Sequence, residues 1–249
     1  MNTLDQPLFS AILGLCVADA VGVPVEFKSR KYLRSNPVTD MIGYGTYNQP
    51  PGTWSDDSSL TLCLVDSLCN GYNLQDIGDT FVRWHSEILW TPHGEVFDIG
   101  NTTREAINRL RKGEVAPQYA GPKHENSNGN GSLMRILPLA VYTRNITFEE
   151  RKQIIFDVSG LTHGHIRAQS ACFGYVEFAI SLLVVADLHA SYERMIKAIK
   201  IALVNDDELR FFYNLTHNHI QDYEERQIRS SGYVIHSLEA ALWCLFNSS

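Results

Sequence analysis

The stretch that decides the fold is "PGTWSDDSSLTLCLVDSL", residues 51–68, in which a turn leads into an apolar helix. Pro51 and Gly52 mark the turn, and Ser55 is a typical N-cap residue. The apolar residues that follow recur at three- and four-residue steps, the spacing of one buried helix face. They are Leu60, Cys63, Leu64 and Leu68.

The same helical spacing recurs along most of the chain, whereas the alternation typical of strands is hard to find. It predicts further helices at residues 8–21, 76–90, 102–112, 132–142, 148–158, 165–186, 191–203 and 233–246. With 249 residues, 44% of them hydrophobic, the chain suits one large globular domain or at most two small ones. We therefore predict an all-α fold and a single domain over residues 1–249.

The charge balance limits the class of partner. Lys and Arg total 21 and Asp and Glu total 28, which leaves a net charge of −7. Without a basic excess, a nucleic-acid backbone is not expected as the main partner. An acidic balance leaves room for carboxylates that hold cations.

The cysteines and the apolar runs predict a cytoplasmic protein with no membrane association. Five cysteines without a CxxC pair indicate reduced thiols. The N-terminus lacks the basic region of a secretory signal. The longest apolar run, "ISLLVVA" from Ile180, is too short to span a bilayer.

Asp56 and Asp57 have two interpretations. Carboxylates in the first turn of a helix gain from its macrodipole, so both can simply favour the helix start. Two adjacent carboxylates repel each other, however, and Ser55 already supplies a cap. Hard divalent cations bind several oxygens, and Ser55-Asp56-Asp57 offers a hydroxyl and two carboxylates at one place.

Other polar residues near turns are candidates as well. Glu26 follows Pro24 in a constrained turn, and Asp19 lies on an apolar helix face, where a carboxylate needs hydrogen bonds or exposure. The glycine-rich "NGNGSLMRILPLA", residues 128–140, precedes a predicted helix and is a candidate phosphate cradle, with Arg135 one turn inside. For Glu26 and Asp19 the alternative is an exposed position on the protein surface.

The histidines also leave alternatives open. "THGH" at 162–165 and "THNH" at 216–219 are two His-x-His pairs that would suit zinc. The alternative is a set of exposed or helix-capping histidines. His163, which precedes a long predicted helix, is either a site residue or a structural histidine.

Six segments together resemble the ADP-ribosylglycohydrolase family, in that family's order. They are "GLCVADAVGVPVEF" (14–27), "GTWSDDSSL" (52–60), "FDIGNTTREAI" (97–107), "NGNGSLMRILPLA" (128–140), "LTHGHIRAQSA" (161–171) and "SSGYVIHSLEAALWCL" (230–245). The resemblance runs from about residue 9 to the end of the chain.

The resemblance implies a compact orthogonal bundle of helices with two Mg²⁺ ions, Mn²⁺ being an alternative ion. It implies cleavage of the glycosidic bond between ADP-ribose and a modified protein side chain. Ser55, Asp56 and Asp57 match metal ligands, and Glu26 and Asp57 match catalytic positions. The positions that match substrate-binding residues are Asp98, Gly100, Asn101, Asn130, Gly131, Ser132, Met134, His163 and Tyr233.

One departure from the family is expected to matter. Family members continue into a Gly-Gly-Asp-Thr-Asp-Thr motif that holds the metals from the other side, and this sequence stops at Ser249, before it. We therefore expect a C-terminally truncated domain with impaired hydrolysis. The alternatives are a catalytically silent ADP-ribose-binding protein, or a fragment whose missing segment comes from elsewhere.

Overall fold

In the computed structural model, residues 5–204, 207–217 and 219–248 are described, and every regular element among them is helical. The α-helices are α1 Asp5–Gly22, α2 Arg30–Ser35, α3 Asp56–Leu68, α4 Leu74–Glu87, α5 Asn101–Lys112, α6 Pro138–Tyr142, α7 Phe148–Gly160, α8 Ile166–Val185, α9 Leu188–Ala202, α10 Tyr213–Thr216 and α11 Val234–Asn247. Short 3-10 turns lie at Val23–Val25, Pro117–Tyr119, Glu125–Ser127, Asp207–Phe212, Ile220–Asp222 and Glu225–Gln227. In the described ranges β-pairing is limited to two isolated bridges, so the all-α prediction is confirmed.

The chain forms two compact units, Met1–Ile99 and Gly100–Ser249. In the first unit, α3 packs on both α1 and α4. Of the face predicted for α3, Leu60, Cys63 and Leu64 are fully buried and Leu68 is half-buried. Helix α4 contributes three fully buried side chains, Ile77, Phe81 and Trp84. Burial of each such side chain stabilises the fold by about 1.5–3 kcal/mol. The prediction of one domain over residues 1–249 stays a prediction.

In the second unit, α8 packs against α7, α9 and α11. Its contact with α9 is close, because a Cβ on Gly174 would lie 2.6 Å from the Ile199 side chain. A buried ion-pair group also joins three helices: Glu177 of α8 pairs with Arg151 of α7 and with Arg194 of α9. Helix α8 is thus the centre of this unit.

Helix α8 also has the length and apolar composition of a membrane-crossing helix, with a mean hydropathy of 1.5. It is much longer than the apolar run considered from the sequence. However, 67% of its apolar window is buried inside the protein, as in the core helix of a globular fold. Its composition is therefore weak evidence for a membrane.

One predicted helix is shorter than expected. Residues 131–135 form turns, and α6 begins only at Pro138, instead of spanning 132–142. Arg135 explains part of this, because its buried guanidinium donates to the carbonyls of Gly131 and Val158 at 2.7 and 3.1 Å. The glycine-rich segment is thus stabilised by a side chain and does not lead directly into a helix.

Candidate active site

The first unit collects acidic side chains at the start of α3. Ser55 is the N-cap, as predicted, and its hydroxyl accepts from the backbone N–H of Asp57 at 3.3 Å. Asp56 is buried and Asp57 is half-buried. Both lie in the first helical turn, so the arrangement satisfies the capping interpretation without excluding the metal interpretation.

Asp19 of α1 holds this helix start in place. Its carboxylate accepts from the backbone N–H groups of Ser55 and Ser58 at 2.9 and 3.1 Å, and from their hydroxyls at 2.8 and 2.6 Å. Asp19 therefore has the hydrogen bonds that a carboxylate on an apolar helix face needs. The sequence singled out Asp19 as a candidate but not its partners, since a pattern of spacing does not show which helix N-terminus a side chain meets.

Glu26 and Asp98 form the second acidic pair of this unit. The Tyr47 hydroxyl donates to Asp98 and also interacts with Glu26, and Asp98 lies close enough to Glu26 to raise its pKa. Asp98, and Phe27, which follows Glu26 in the chain, have left-handed backbone, with φ of 58° and 61°. Such conformations are costly for non-glycine residues and are enriched at functional sites.

The electrostatics of these carboxylates favour a bound cation. Burial, followed by interactions with Asp98, raises the pKa of Glu26 to about 7. Burial, followed by the charges of Asp19 and Asp98, raises the pKa of Asp57 to about 7. Burial, followed by the charge of Asp57, raises the pKa of Asp56 well above its ordinary value.

None of the ion pairs between described residues neutralises this acidic group, which we define as Asp19, Glu26, Asp56, Asp57 and Asp98. Its potential ligand atoms are all carboxylate oxygens, and Mg²⁺ prefers hard oxygen ligands. The residues present therefore fit a divalent cation. The structure brings Ser55, Asp56, Asp57, Glu26 and Asp98 together within one unit, so Asp98, matched to a substrate-binding position, lies beside the residues matched to metal ligands. The roles of all five residues stay predictions.

In the second unit, the glycine-rich loop Asn128–Gly131 is tied to the segment that starts α11. The Asn130 N–H donates to the Gly232 carbonyl at 2.9 Å, and the Val234 N–H donates to the Asn128 carbonyl at 2.9 Å. Asn128 is buried, and its side-chain Oδ1 has no hydrogen-bond partner. Tyr233 is half-buried between these two hydrogen bonds.

His163 lies beneath this loop. It is buried, its Nδ1 lies 2.9 Å from the Thr162 hydroxyl, and a Cβ on Gly131 would lie 2.8 Å from its Cε1 atom. Burial, assisted by the charge of Arg135, lowers the pKa of His163 to about 3. The imidazole is therefore neutral at pH 7 and supports the loop by packing.

The remaining predicted substrate residues lie in the same unit in varied settings. Ser132 is fully buried and hydrogen-bonded to the Ser159 hydroxyl at 3.0 Å. Met134 is half-buried, and its N–H donates to the Asn130 carbonyl. Gly100 caps α5, and Asn101 is exposed at that helix start. Their substrate roles stay predictions.

Sequence reasoning missed a second polar group, which we call the Arg167 cluster: Arg167, Glu125, Glu208, Phe211 and Tyr233. Arg167 is buried and pairs with both glutamates, Nη1 to Glu125 Oε1 at 2.9 Å and Nε to Glu208 Oε2 at 2.6 Å. Together with Asn128, four of these residues line a cavity of about 830 Å³ whose lining belongs entirely to the second unit. No signal in the local sequence pairs these residues, because they are 41 and 42 positions apart.

The Arg167 cluster also bears on the histidine motifs. The ligand atoms of Glu125, His165 and Glu208 lie within 4.8 Å of one another, a spacing that suits a metal. Arg167 already neutralises both carboxylates, so the acidic group of the first unit is the better cation site. His165 caps α8 by accepting from the Arg167 N–H at 3.2 Å, as the capping interpretation predicts. The "THNH" segment contains Asn218, which lies outside the described residues.

Comparison with known proteins gives a consistent family. The family model for ADP-ribosylglycohydrolase matches residues 2–249. ADP-ribosylarginine hydrolase Tri1 of Pseudomonas putida (strain GB-1) is 31% identical, over 96% of this chain and 61% of that protein. The Tri1 protein of Serratia proteamaculans (strain 568) is 30% identical, over 96% and 62%.

Two further matches extend the likeness. The ADP-ribosyl-[dinitrogen reductase] glycohydrolase of Rhodospirillum rubrum is 30% identical over 65% of this chain and 53% of that protein. A solved structure described as an ADP-ribosylglycohydrolase-related protein complex superposes with a TM-score of 0.77 at 28% identity, covering 96% of this chain and 74% of that chain. The chain thus spans about three fifths of the length of the two Tri1 proteins.

Proposed function

Because the chain belongs to the ADP-ribosylglycohydrolase family, we propose that it hydrolyses the glycosidic bond between ADP-ribose and a modified protein side chain in a magnesium-dependent reaction. The observation that supports this most directly is the acidic group, in which Glu26, Asp56 and Asp57 have raised pKa values and which forms no ion pair among the described residues. Arginine is the proposed acceptor, because two relatives are named ADP-ribosylarginine hydrolases.

Ser55, Asp56 and Asp57 are the residues that would hold the metal, with Glu26 and Asp98 beside them. A bound Mg²⁺ would supply electrostatic stabilisation of the charge that develops as the glycosidic bond opens. The Ser55 hydroxyl lies 3.2 Å from Asp57 Oδ2, so these two oxygens already converge. Mn²⁺ would be held by the same oxygen donors.

The reaction requires one proton transfer that the chain's own residues can carry. Hydrolysis breaks the bond between the ribose anomeric carbon and the acceptor nitrogen, places the hydroxyl of water on the carbon and transfers a proton to the acceptor. A pKa of about 7 leaves Glu26 near half-protonated at neutral pH, which suits general acid–base work. The Tyr47 and Asp98 contacts hold its carboxyl group in one orientation.

The loop Asn128–Gly131 and Tyr233 are the proposed ADP-ribose-binding residues of the second unit. The loop presents backbone groups and the unpartnered Asn128 Oδ1 beside the cavity. Such backbone-rich loops suit the diphosphate and ribose of a nucleotide. The His163 ring below the loop keeps it from collapsing inward.

The test is an assay of ADP-ribose release from an ADP-ribosylarginine peptide and an ADP-ribosylserine peptide, with magnesium or with EDTA. We expect magnesium-dependent release from the arginine peptide, and loss of release in Glu26→Gln with ADP-ribose affinity retained. Binding of ADP-ribose without any release would instead show the silent binding protein. A version of the chain that carries a Gly-Gly-Asp-Thr-Asp-Thr tail, measured in the same assay, tests whether that segment raises the rate.

A cytoplasmic location is also proposed. It is supported by the five cysteines, Cys16, Cys63, Cys69, Cys172 and Cys244, which are all free thiols.

A further inference from the structure

Arg167 uses its whole hydrogen-bonding capacity on one set of partners. Its guanidinium has five N–H groups. Nε and Nη2 donate to Glu208 at 2.6 and 3.0 Å, Nη1 and Nη2 donate to Glu125 at 2.9 and 3.1 Å, and Nη1 also donates to the Tyr233 hydroxyl at 3.0 Å. The Phe211 ring lies against the guanidinium, 3.5 Å from Cζ to the ring centroid.

These partners lie on three separate segments of the second unit. Glu125 precedes the loop Asn128–Gly131, Tyr233 starts α11, and Glu208 lies in the 3-10 turn Asp207–Phe212. Two backbone hydrogen bonds already tie the loop to the residues beside Tyr233. Arg167, which lies in the first turn of α8, adds a side-chain connection from the helix core to both edges of the cavity.

Stability alone does not account for such a residue. Arg167 is 2% exposed, and replacing a buried ion-pair group with apolar side chains is often neutral or stabilising. A planar guanidinium does what an apolar side chain cannot, because its fixed fork sets the angles of several acceptors at once. The Glu125 side chain is 62% exposed and accepts two hydrogen bonds from Arg167, whereas His165 Nε2 lies 3.8 Å from it, beyond hydrogen-bond distance.

We infer that Arg167 is a positioning residue: it holds Tyr233 and the Glu125 end of the glycine-rich loop at a fixed separation, and so shapes the cavity for ADP-ribose. The inference rests on the proposed function for its ligand. It assigns Arg167 no contact with the reacting atoms. Its effect on ligand binding passes through the Tyr233 hydroxyl and the loop.

The test is a double-mutant cycle on ADP-ribose affinity, measured by calorimetry in EDTA so that no turnover occurs. Arg167→Gln and Tyr233→Phe are each expected to weaken binding about tenfold, and the double variant is expected to bind no more weakly than Arg167→Gln alone. This coupling is expected because Tyr233→Phe removes the same hydrogen bond that Arg167→Gln removes. A merely structural role for Arg167 predicts additive effects, which would overturn the inference.

Arg194→Gln is the matched control, because it also removes an arginine–glutamate pair of this unit, with Glu177. We expect it to leave ADP-ribose affinity unchanged and to combine additively with Tyr233→Phe. An equal loss of affinity in Arg194→Gln and Arg167→Gln would show that any lost ion pair has this effect, and would also overturn the inference.

Two further variants guard against misfolding and separate charge from geometry. Glu208→Gln is the milder substitution, and we expect it to weaken ADP-ribose binding less than Arg167→Gln does. Its effect is still expected to be non-additive with that of Tyr233→Phe. Arg167→Lys retains the charge but loses the fork, so we expect it to bind ADP-ribose as weakly as Arg167→Gln. Full affinity in Arg167→Lys would contradict the positioning role.

If the wild-type chain itself fails to bind ADP-ribose, the proposed function fails. If the wild-type chain binds ADP-ribose and the effects of the two substitutions are additive, only the inference about Arg167 fails.

Discussion

At the scale of single residues, His163 is a buried base whose protonation opposes folding. Its folded-state pKa of about 3 lies below its ordinary value of 6.5, so the unfolded chain binds more protons than the folded chain between these values. Stability is therefore unaffected by His163 above pH 6.5 and falls as the pH drops toward 3.

Urea unfolding at pH 7 and at pH 4.5 tests this assignment. We expect the wild type to lose about 2 kcal/mol more than His163→Gln over this interval, because glutamine does not titrate. The same loss in both proteins would show that His163 is not held neutral. Because other groups titrate in both proteins alike, only the difference between them is interpreted.

Arg167 takes the role of a cation between ligands that would suit a metal. Glu125, His165 and Glu208 have ligand atoms within 4.8 Å of one another, and in Arg167→Ala they lose the guanidinium that pairs with both carboxylates. His nitrogen and carboxylate oxygen are good zinc ligands. We expect ZnCl₂ to raise the melting temperature of Arg167→Ala more than that of the wild type, and expect His165→Ala in the same background to abolish the difference. Equal zinc responses would show that Arg167 does not mask a site.

At the scale of elements, the start of α3 depends on a carboxylate from α1. Asp19→Ala removes the acceptor of four hydrogen bonds from Ser55 and Ser58, so we expect a loss of about 2 kcal/mol of unfolding free energy. Asp79→Ala, an exposed acid on α4, is the control and is expected to change little. Equal effects in urea unfolding would contradict the anchoring role.

Two substitutions in the glycine-rich loop separate an effect on stability from an effect on ligand binding. From the sequence alone, Gly131→Val is expected to block the ligand directly, but its Cβ would meet His163 at 2.8 Å and Thr103 at 3.0 Å. We therefore expect Gly131→Val to lower the melting temperature. Gly129→Ala meets only ordinary contacts, at 3.5 Å from His163 Nε2, and is expected to retain the melting temperature while weakening ADP-ribose binding. Unchanged affinity in Gly129→Ala would argue against close ligand approach at the loop.

At the scale of the whole molecule, the proposed cation site predicts that the metal-free protein is less stable than the protein with magnesium. Burial, followed by repulsion from Asp57, raises the pKa of Asp56, so Asp56→Asn removes an unfavourable buried charge. In EDTA at pH 8 we expect Asp56→Asn to melt higher than the wild type, whereas MgCl₂ raises the wild type alone. Asp79→Asn, with NaCl at matched ionic strength, is the control. A magnesium response in Asp56→Asn equal to that of the wild type would place the cation elsewhere.

The sequence by itself determined the all-α fold, the Ser55 cap and the order of the family's segments. Helical spacing and capping are local, because they depend on residues three or four positions apart. Ser55, Asp56, Asp57 and Glu26 could also be singled out from the sequence, since they lie within recognisable motifs, and their roles in a site stay predictions.

The tertiary structure alone decided what these residues contact. Asp19 meets the start of α3 across 36 positions, and Arg167 meets Tyr233 across 66. It also decided that the turns at 131–135 replace the predicted helix, because the Arg135 side chain bonds to Val158 at a distance of 23 positions. Hydrogen bonds of this kind depend on how helices pack, and the spacing of apolar residues says which face of a helix is buried but not which polar partner it will meet.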